Sequence, residues 1–387
     1  MRVCVSVKGR FHAFYLAYQL QKYGFLQKLI TSYPKFETQK YGIKREKIIS
    51  LFLSEVLERM WKKLPLIVKN KINTQYFFHE FFDRRVARHI PNEIDLFVAF
   101  SSNALNSISV AHQRGAKTIL ERGSSHIQYQ YDVLVEEYSQ LHLPQPTITH
   151  PRIIQKELRE YEVTDFISVP SNFVKQTLMD KGIPARKIIH VPYGVNLMHF
   201  SPHKKEDGVF RILFCGNRSV RKGVIYLLQA FTELKLPNAE LWFIGSQDAE
   251  IEPIIKKYAS PQIYFKGPFP EFELAKYYSQ CSIFCLPSLE EGLAMVIPQA
   301  MACGLPVICT TNTGGGDIVR DGQDGFVIPI RDVEALKEKI LKLYEDNELR
   351  EKMGRSARER VQTGYTWDDY GHRMIVEYQR ILGSDKQ

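Results

Sequence analysis

The sequence predicts an α/β fold made of two doubly wound parallel sheets, and three observations lead to this class. Short apolar runs alternate with helical patterns along most of the 387-residue chain, as in βαβ units. The runs are apolar at consecutive positions, which is typical of strands buried on both faces of a parallel sheet. The alternation stops at a polar stretch, residues 199–208, and then starts again. Two domains joined by a linker are therefore expected.

The N-terminal half opens with a predicted strand at residues 2–7 and a helix at residues 13–23. The loop between them has Gly9 as its one glycine, so the three-glycine dinucleotide fingerprint is missing. A glycine here either lets the backbone approach a ligand closely or simply allows a turn. Apolar runs predict further strands at residues 25–30, 94–100, 117–120, 166–170 and 187–191, with helices at 103–114, 152–163 and 171–182.

A basic segment reaches from Lys44 to Lys71 and carries apolar residues near helical spacing, which predicts an amphipathic helix. It lies within residues 40–88, a stretch with twelve Lys/Arg and five Asp/Glu in a chain of net charge +9. Such a helix either packs on its own domain or lies at an anionic membrane surface, with Trp61 near the headgroups. A nucleic-acid partner is not expected, because the apolar face of the helix is wide.

His126 follows the strand predicted at residues 117–120, in a loop rich in glycine and serine. Ligands of open parallel sheets bind beyond the carboxyl ends of the strands. His126 is therefore a candidate site residue on position alone. The alternative is a solvated loop histidine.

The C-terminal half begins with a predicted strand at residues 210–215, and Arg218, Arg221 and Lys222 lie in the loop that follows it. Cations beside the free N–H groups of a helix start can bind a diphosphate without a metal. The alternative is a solvated basic turn. Further strands are predicted at residues 241–244, 263–265, 282–286, 306–309 and 325–328, with helices at 222–234, 333–344, 349–361 and 367–382.

The most distinctive stretch is residues 286–304, where a strand end, a polar loop and a helical segment follow each other. An acidic pair ends in Glu291 and is followed by Gly292. Glu291 and Gln299 bracket a turn and a first helical turn whose free N–H groups can hold an anion. A glycine-rich loop at residues 313–317 is expected at the same sheet edge.

Cysteine usage and hydropathy limit the class of protein. The six cysteines fall mostly in apolar strand-like runs, so buried thiols in a reducing cytosol are expected rather than disulfides or a metal site. No apolar run is long enough to span a bilayer. The first apolar run is too short for a secretory signal and is followed at once by Lys8 and Arg10. A cytoplasmic protein, peripheral at the membrane at most, is expected.

These motifs resemble those of retaining glycosyltransferases of family four, which have the GT-B fold. The resemblance rests on Pro287-Ser288 with Glu291-Gly292, on Lys222-Gly223, and on the glycine loop that leads into Asp317-Ile318-Val319. It is specific from about residue 166 to residue 367 and weaker before that. In the weaker part, Gly9 and His126 fit the family's nucleotide-sugar glycine and active-site histidine.

Two positions depart from the family pattern. Gln299 stands where the family has a glutamate that takes the donor ribose hydroxyls, and an amide can still accept one such bond. The departure implies an altered donor affinity rather than a loss of activity. Asn217 stands where the family has an arginine, so Arg218 or Arg221 is expected to share its phosphate role.

The resemblance implies two Rossmann-like domains that face a central cleft. The acceptor-side domain is expected at residues 1–200, the nucleotide-sugar domain at residues 201–366, and a helix at residues 367–387 that crosses back to the first domain. The implied reaction is a retaining, metal-independent transfer of a hexosyl group from a nucleotide-sugar to an acceptor hydroxyl. The implied acceptor is a saccharide or is lipid-linked, in the synthesis of cell-surface polysaccharide or glycolipid. No cofactor is expected.

The same resemblance assigns roles to the candidate residues. Glu291 would hold the donor sugar's hydroxyls, His126 would lie near the sugar, and Arg221 and Lys222 would offset charge on the leaving diphosphate. Two alternatives stay open on this fold. One is a catalytically silent nucleotide-sugar-binding protein, which Gln299 supports, and the other is a nucleotide-sugar epimerase. The expected donor-binding residues are Gly9, Asn217, Arg218, Gly292, Leu293, Ala294, Met295 and Gln299.

Overall fold

The computed structural model describes residues 1–62, 74–144 and 149–383 of the chain. The N-terminal domain is built on a seven-stranded parallel sheet with the strand order β3-β2-β1-β4-β5-β6-β7. The strands are β1 (Val3–Val7), β2 (Leu26–Thr31), β3 (Ile48–Ser50), β4 (Leu96–Phe100), β5 (Lys117–Glu121), β6 (Phe166–Val169) and β7 (Ile188–His190).

Both faces of this sheet are buried. Along β1, Val3, Val5 and Val7 belong to one apolar cluster and Cys4 belongs to another, because successive side chains of a strand point to opposite faces. This explains why β1 and β4 are apolar at nearly every position. The helices are α1 (Ala13–Lys22), α2 (Lys35–Gln39), α3 (Phe52–Lys62), α4 (Gln75–Ala87), α5 (Leu105–Gln113), α6 (Ile127–Gln140), α7 (Pro151–Val163) and α8 (Asn172–Asp180).

The C-terminal domain has a six-stranded parallel sheet with the order β10-β9-β8-β11-β12-β13. The six cysteines of the chain are free and buried, as expected. The strands are β8 (Phe210–Cys215), β9 (Ala239–Ile244), β10 (Ile263–Lys266), β11 (Ile283–Leu286), β12 (Val307–Thr310) and β13 (Gly325–Ile328). The helices are α9 (Val224–Leu234), α10 (Glu252–Lys257), α11 (Leu274–Ser279), α12 (Val296–Ala302), α13 (Val333–Glu345), α14 (Asn347–Gln362) and α15 (Trp367–Gly383).

The basic segment differs from the single helix that its pattern predicts. Residues 45–47 form a 3-10 turn, and the next three residues form β3, the edge strand beside β2. The adjacent β-branched residues Ile48 and Ile49 suit an extended strand, and Ile48 is buried there. The helix begins only at Phe52. The remainder of the segment, residues 63–71, lies outside the described residues.

The chain crosses between the domains near Val195 and again near Thr366, and these residues pair in a parallel β-bridge. The Val195 N–H donates to the carbonyl of Tyr365 at 2.8 Å. Gly194 lies so close to the second crossing that a Cβ atom there would be 2.4 Å from the carbonyl carbon of Thr366. We propose domain boundaries at residues 200 and 366, beside these crossings.

Helix α15 follows the second crossing and packs on the N-terminal domain. The Trp367 ring stacks on Tyr15 of α1 with 4.0 Å between centroids. Gln19 of α1 donates from Nε2 to Asp368 at 2.8 Å. The last helix therefore closes the core of the first domain.

We expect Gly194→Ala to lower the free energy of unfolding by about 1–3 kcal/mol, because the added methyl group must displace the backbone of the second crossing. Urea denaturation measures the effect. Gly208→Ala is the matched control, since a Cβ at Gly208 has no atom within 4 Å. Equal midpoints for the two variants would contradict this account of the crossing.

Candidate active site

The carboxyl ends of strands from both sheets meet between the domains. On the C-terminal side, the loop after β8 meets the loop after β11. Gly223 has a φ of +62°, and a Cβ there would lie 1.9 Å from the carbonyl oxygen of Pro287. The Leu289 N–H donates to the carbonyl of Arg221 at 2.9 Å. This close backbone approach, which a glycine permits, brings the basic loop against the acidic one.

Two cations and two carboxylates meet where these loops touch. The Arg221 guanidinium lies 2.9 Å from the Glu290 carboxylate and 3.2 Å from that of Glu291. Lys222 forms an ion pair with the other oxygen of Glu291. Both carboxylates are buried, and their formal charge balances that of the two basic side chains. The cluster is therefore electrically neutral before any ligand enters.

Glu290 is fully buried and Arg221 is half-buried, yet both stay charged at neutral pH. Burial acts to raise the pKa of Glu290, but Arg221 and donors from Ser124 and Ser125 bring it down to about 2. Burial acts to lower the pKa of Arg221, but Glu291 and Glu290 raise it above its ordinary value. Each group depends on its partners to keep its charge.

The same cluster contacts the N-terminal domain through the loop after β5. Glu290 accepts from the Ser124 hydroxyl at 2.6 Å, from the Ser125 N–H at 2.8 Å and from the Gln130 amide at 2.8 Å. A Cβ at Gly292 would lie 2.0 Å from the carbonyl oxygen of Gly123. The domains thus meet backbone to backbone at this loop.

Arg122 fixes the shape of that loop from inside the N-terminal domain. Its Nε donates to the Ser125 carbonyl at 2.8 Å, and it forms a 2.9 Å ion pair with Glu157 of α7. Both side chains are buried. A buried, paired guanidinium with several donors holds a loop in one geometry.

His126 is the N-cap of α6 and is turned toward its own domain. Its Nδ1 accepts from the Gln128 N–H at 3.2 Å, and its ring lies 5.1 Å from that of Tyr161. Burial, followed by Arg122 and Lys181, lowers its pKa to about 4. The imidazole is therefore neutral near pH 7, and its place beside a donor sugar remains a prediction.

Two other polar residues of the basic loop, Arg218 and Asn217, contact groups outside the charge cluster. Arg218 donates to the Gly245 carbonyl at 3.0 Å and lies over the Phe265 ring. Asn217 accepts from the Ser246 hydroxyl at 2.7 Å. Of the two arginines expected to share a phosphate role, Arg221 is the one that the structure brings to Glu291.

The remaining candidates have contacts of their own. Gly9 lies in the loop between β1 and α1, and its N–H donates to the Ser32 hydroxyl at 3.0 Å. Gln299 of α12 is buried, and Tyr278 contacts its amide oxygen at 3.4 Å. The segment that joins the acidic loop to α12 consists of Leu293, Ala294 and Met295, of which the first two are buried.

Glu290, Ser124, Ser125 and Gln130 are site residues that the sequence analysis did not single out. The only sequence signal for Glu290 is its place beside Glu291. Its partners come from a loop some 165 residues away, so local pattern could not pair them. Among residues 1–62, 74–144 and 149–383, no group of three or more His, Cys, Asp or Glu side chains is placed to hold a metal ion.

Comparison with known proteins identifies relatives of this architecture. Residues 198–360 match the family model described as Glycosyl transferases group 1. An uncharacterized glycosyltransferase of Methanocaldococcus jannaschii is 32% identical over 205 residues, which are 53% of this chain and 56% of that protein. A GDP-mannose-dependent monoacylated alpha-(1-6)-phosphatidylinositol monomannoside mannosyltransferase of Corynebacterium glutamicum is 28% identical over 48% of this chain and 54% of its own length. The chain spans about half the length of these curated relatives.

Among solved structures, sucrose-phosphate synthase from Thermosynechococcus elongatus superposes with a TM-score of 0.73. The two chains are 19% identical, and the match covers 99% of this chain and 100% of the other. At this identity the likeness concerns the fold alone. The predicted fold of two Rossmann-like domains facing a cleft is confirmed.

We expect a histidine NMR titration to show one resonance, absent from His126→Gln, that stays neutral as pH falls and protonates near pH 4. The unfolded chain binds this proton near pH 6.5, so the residue's contribution to stability is lost as pH falls between those values. His203→Gln, which removes an exposed histidine, is the control. A His126 resonance that titrates near pH 6.5 would show that the ring is not held as described.

Proposed function

We propose that this chain is a glycosyltransferase of the family that its motifs resemble, and that it transfers a sugar from a nucleotide-sugar to an acceptor hydroxyl; the match of residues 198–360 to the group 1 model supports this. The observation that carries the proposal is the cluster of Arg221, Lys222 and Glu291 at the meeting point of the two sheets. The transfer is proposed to be retaining and independent of metal. The acceptor is proposed to be a saccharide or a lipid-linked one, and the product to belong to cell-surface polysaccharide or glycolipid.

The neutral cluster suggests how the donor diphosphate is received. When the diphosphate enters, its negative charge competes with Glu291 for Lys222. Lys222 then turns to the phosphate, and Glu291 becomes free to accept hydrogen bonds from the sugar hydroxyls. Arg221 and the N-terminus of α9, which begins one residue after Gly223, add positive potential. Positive groups placed in advance stabilise the charge that grows on a leaving diphosphate.

The acceptor approaches from the N-terminal domain. In a front-face attack, the acceptor hydroxyl forms the new bond to the sugar carbon while the bond to the diphosphate breaks. The diphosphate takes the acceptor's proton, so no separate base is needed. Glu291 therefore acts by binding and not as a nucleophile, and the neutral His126 lies on the loop that faces the sugar.

We expect Lys222→Ala and Glu291→Ala each to lower the rate of nucleoside diphosphate release about a hundredfold or more, because each removes a charge that acts on the donor. Release is measured with candidate nucleotide-sugars in excess EDTA, with and without acceptor. Lys352→Ala, which removes an exposed lysine of α14, is the matched control.

The same assay separates the alternatives. Acceptor-dependent release supports the transferase. Donor binding without release supports a silent binding protein, and a changed sugar without any acceptor supports an epimerase. Near-normal transfer by both Lys222→Ala and Glu291→Ala would refute the site.

A membrane surface is the second proposed partner, and helix α3 supports it. Five apolar residues of this helix point outward, with exposures of 39% to 63%. Its carboxylates point inward instead. Glu58 pairs with Lys8 at 2.8 Å, and Glu55 accepts from the Ser32 hydroxyl at 3.3 Å. The outward residues are Phe52, Leu53, Val56, Leu57 and Met60.

This orientation is the reverse of that of an ordinary surface helix, which hides its apolar stripe. Lys44 and Arg45 are exposed in the segment that precedes β3 and the helix, and they suit anionic headgroups. An apolar face beside basic residues is typical of a helix that lies in the membrane interface. The same helix contacts the loop of Gly9 through Lys8, so the membrane would lie on the acceptor side. No helix of the described ranges could span a bilayer.

We expect the protein to float with anionic vesicles and only weakly with neutral ones, since both apolar insertion and charge contribute to binding. Replacing Leu53 and Met60 together by Asp should abolish flotation. Val376→Asp is the matched control, because Val376 is an exposed apolar residue of another helix, α15. Equal binding to neutral and anionic vesicles, or binding to neither, would remove the electrostatic membrane hypothesis.

A further inference from the structure

Glu290 has no part in the donor binding proposed above, yet it is the most completely buried carboxylate of the site, with 0% exposure. Its neighbour Glu291 carries the family motif. A buried carboxylate costs free energy unless donors surround it. Glu290 meets this requirement with donors from both domains.

Three of the donors belong to the N-terminal domain. Ser124 donates its hydroxyl, Ser125 its backbone N–H and Gln130 its side-chain amide. The fourth donor is Nε of Arg221, at 2.9 Å, in the C-terminal domain. One carboxylate therefore ties the loop that leads to His126 to the side chain proposed to face the diphosphate.

The bonding of Glu290 is complete only while the domains touch. If the cleft opened, the carboxylate would keep Arg221 and lose all three N-terminal donors at once. The N-terminal loop is itself held rigidly, because Arg122 links the Ser125 carbonyl to Glu157. Closing thus brings a preformed set of donors onto Glu290 and holds Arg221 at one position.

We propose that Glu290 is a positioning residue that latches the closed state, placing Arg221 and the loop of residues 123–126 for the transfer step. This inference rests on the proposed function. Glu290 acts through these neighbours and does not touch the substrate. Its effect should therefore appear after the donor is bound, in turnover rather than in donor affinity.

A simpler explanation is that Glu290 only helps to hold two domains together. Glu137 allows a direct comparison. It is also fully buried between the domains, where it accepts from Tyr226 at 2.6 Å and from Arg331 at 2.7 Å. Its partners belong neither to the loop of Ser124 nor to the charge cluster. If Glu290 only holds the domains together, substitutions at Glu290 and Glu137 should change kcat equally.

The first experiment compares Glu290→Gln with Glu137→Gln in steady-state transfer assays. Glu290→Gln keeps the side-chain shape but turns an N–H group toward the donors and removes the charge beside Arg221. We expect kcat to fall about tenfold to a hundredfold, the range for lost hydrogen bonds to a charged group, with KM for the donor nearly unchanged. Glu137→Gln should leave kcat near the wild-type value.

A double-mutant cycle tests the interdomain part of the latch. Ser124→Ala with Gln130→Leu removes two N-terminal donors and leaves the pair of Glu290 and Arg221 intact. If the latch exists, this variant lowers kcat as Glu290→Gln does, and the triple variant is little worse than either. If Glu290 and the two N-terminal donors act independently, the fold-losses in kcat should instead multiply in the triple variant.

The outcomes separate this inference from the proposed function. A folded wild-type protein that transfers no sugar contradicts the function itself. A wild-type protein that transfers sugar, with Glu290→Gln equally active, overturns the latch alone. Equal losses of kcat in Glu290→Gln and Glu137→Gln, or a rise in donor KM with kcat unchanged, would also overturn it. Circular dichroism and thermal unfolding confirm that each variant is folded.

Discussion

The contact between a basic loop and an acidic loop at the end of β8 and β11 is the constraint on which the rest of this structure depends. Arg221 and Lys222 reach Glu290 and Glu291 only because the backbone at Gly223 lies against Pro287. The four charges cancel, so the two buried carboxylates are compensated by two partly exposed basic side chains without a bound ion. A cluster of this kind is stable when empty and is ready to exchange one internal ion pair for a ligand anion.

A network of buried polar and charged residues extends from this cluster into the N-terminal domain. Glu290 receives donors from the loop after β5, and Arg122 anchors that loop to Glu157 in α7. Each charged side chain in this series is paired with groups of its neighbours, which buried networks require. The series links the packing of the first domain to the geometry of the phosphate-facing side chains in the second.

The sequence predicted most of the strands, though not β3, because parallel strands buried on both faces are apolar at most positions. The predicted strand at residues 210–215 coincides with β8. It did not predict α6, whose Glu137 is buried by Tyr226 and Arg331, 89 and 194 residues away. Motif spacing identified Lys222 and Glu291 as site residues. It could not predict that Glu290 makes contacts between the domains, or that the His126 ring lies against Tyr161. Side-chain direction and distant partners are properties of the assembled fold.

The double crossing near Val195 and Thr366 has a mechanical consequence. Two domains joined by a single linker can rotate about it in any direction and can also move apart. Two links joined side by side by a β-bridge form a hinge that restricts the relative motion of the domains mainly to one rotation. We expect such a double connection to return the two domains to the same closed geometry, because it opposes relative translation and twist.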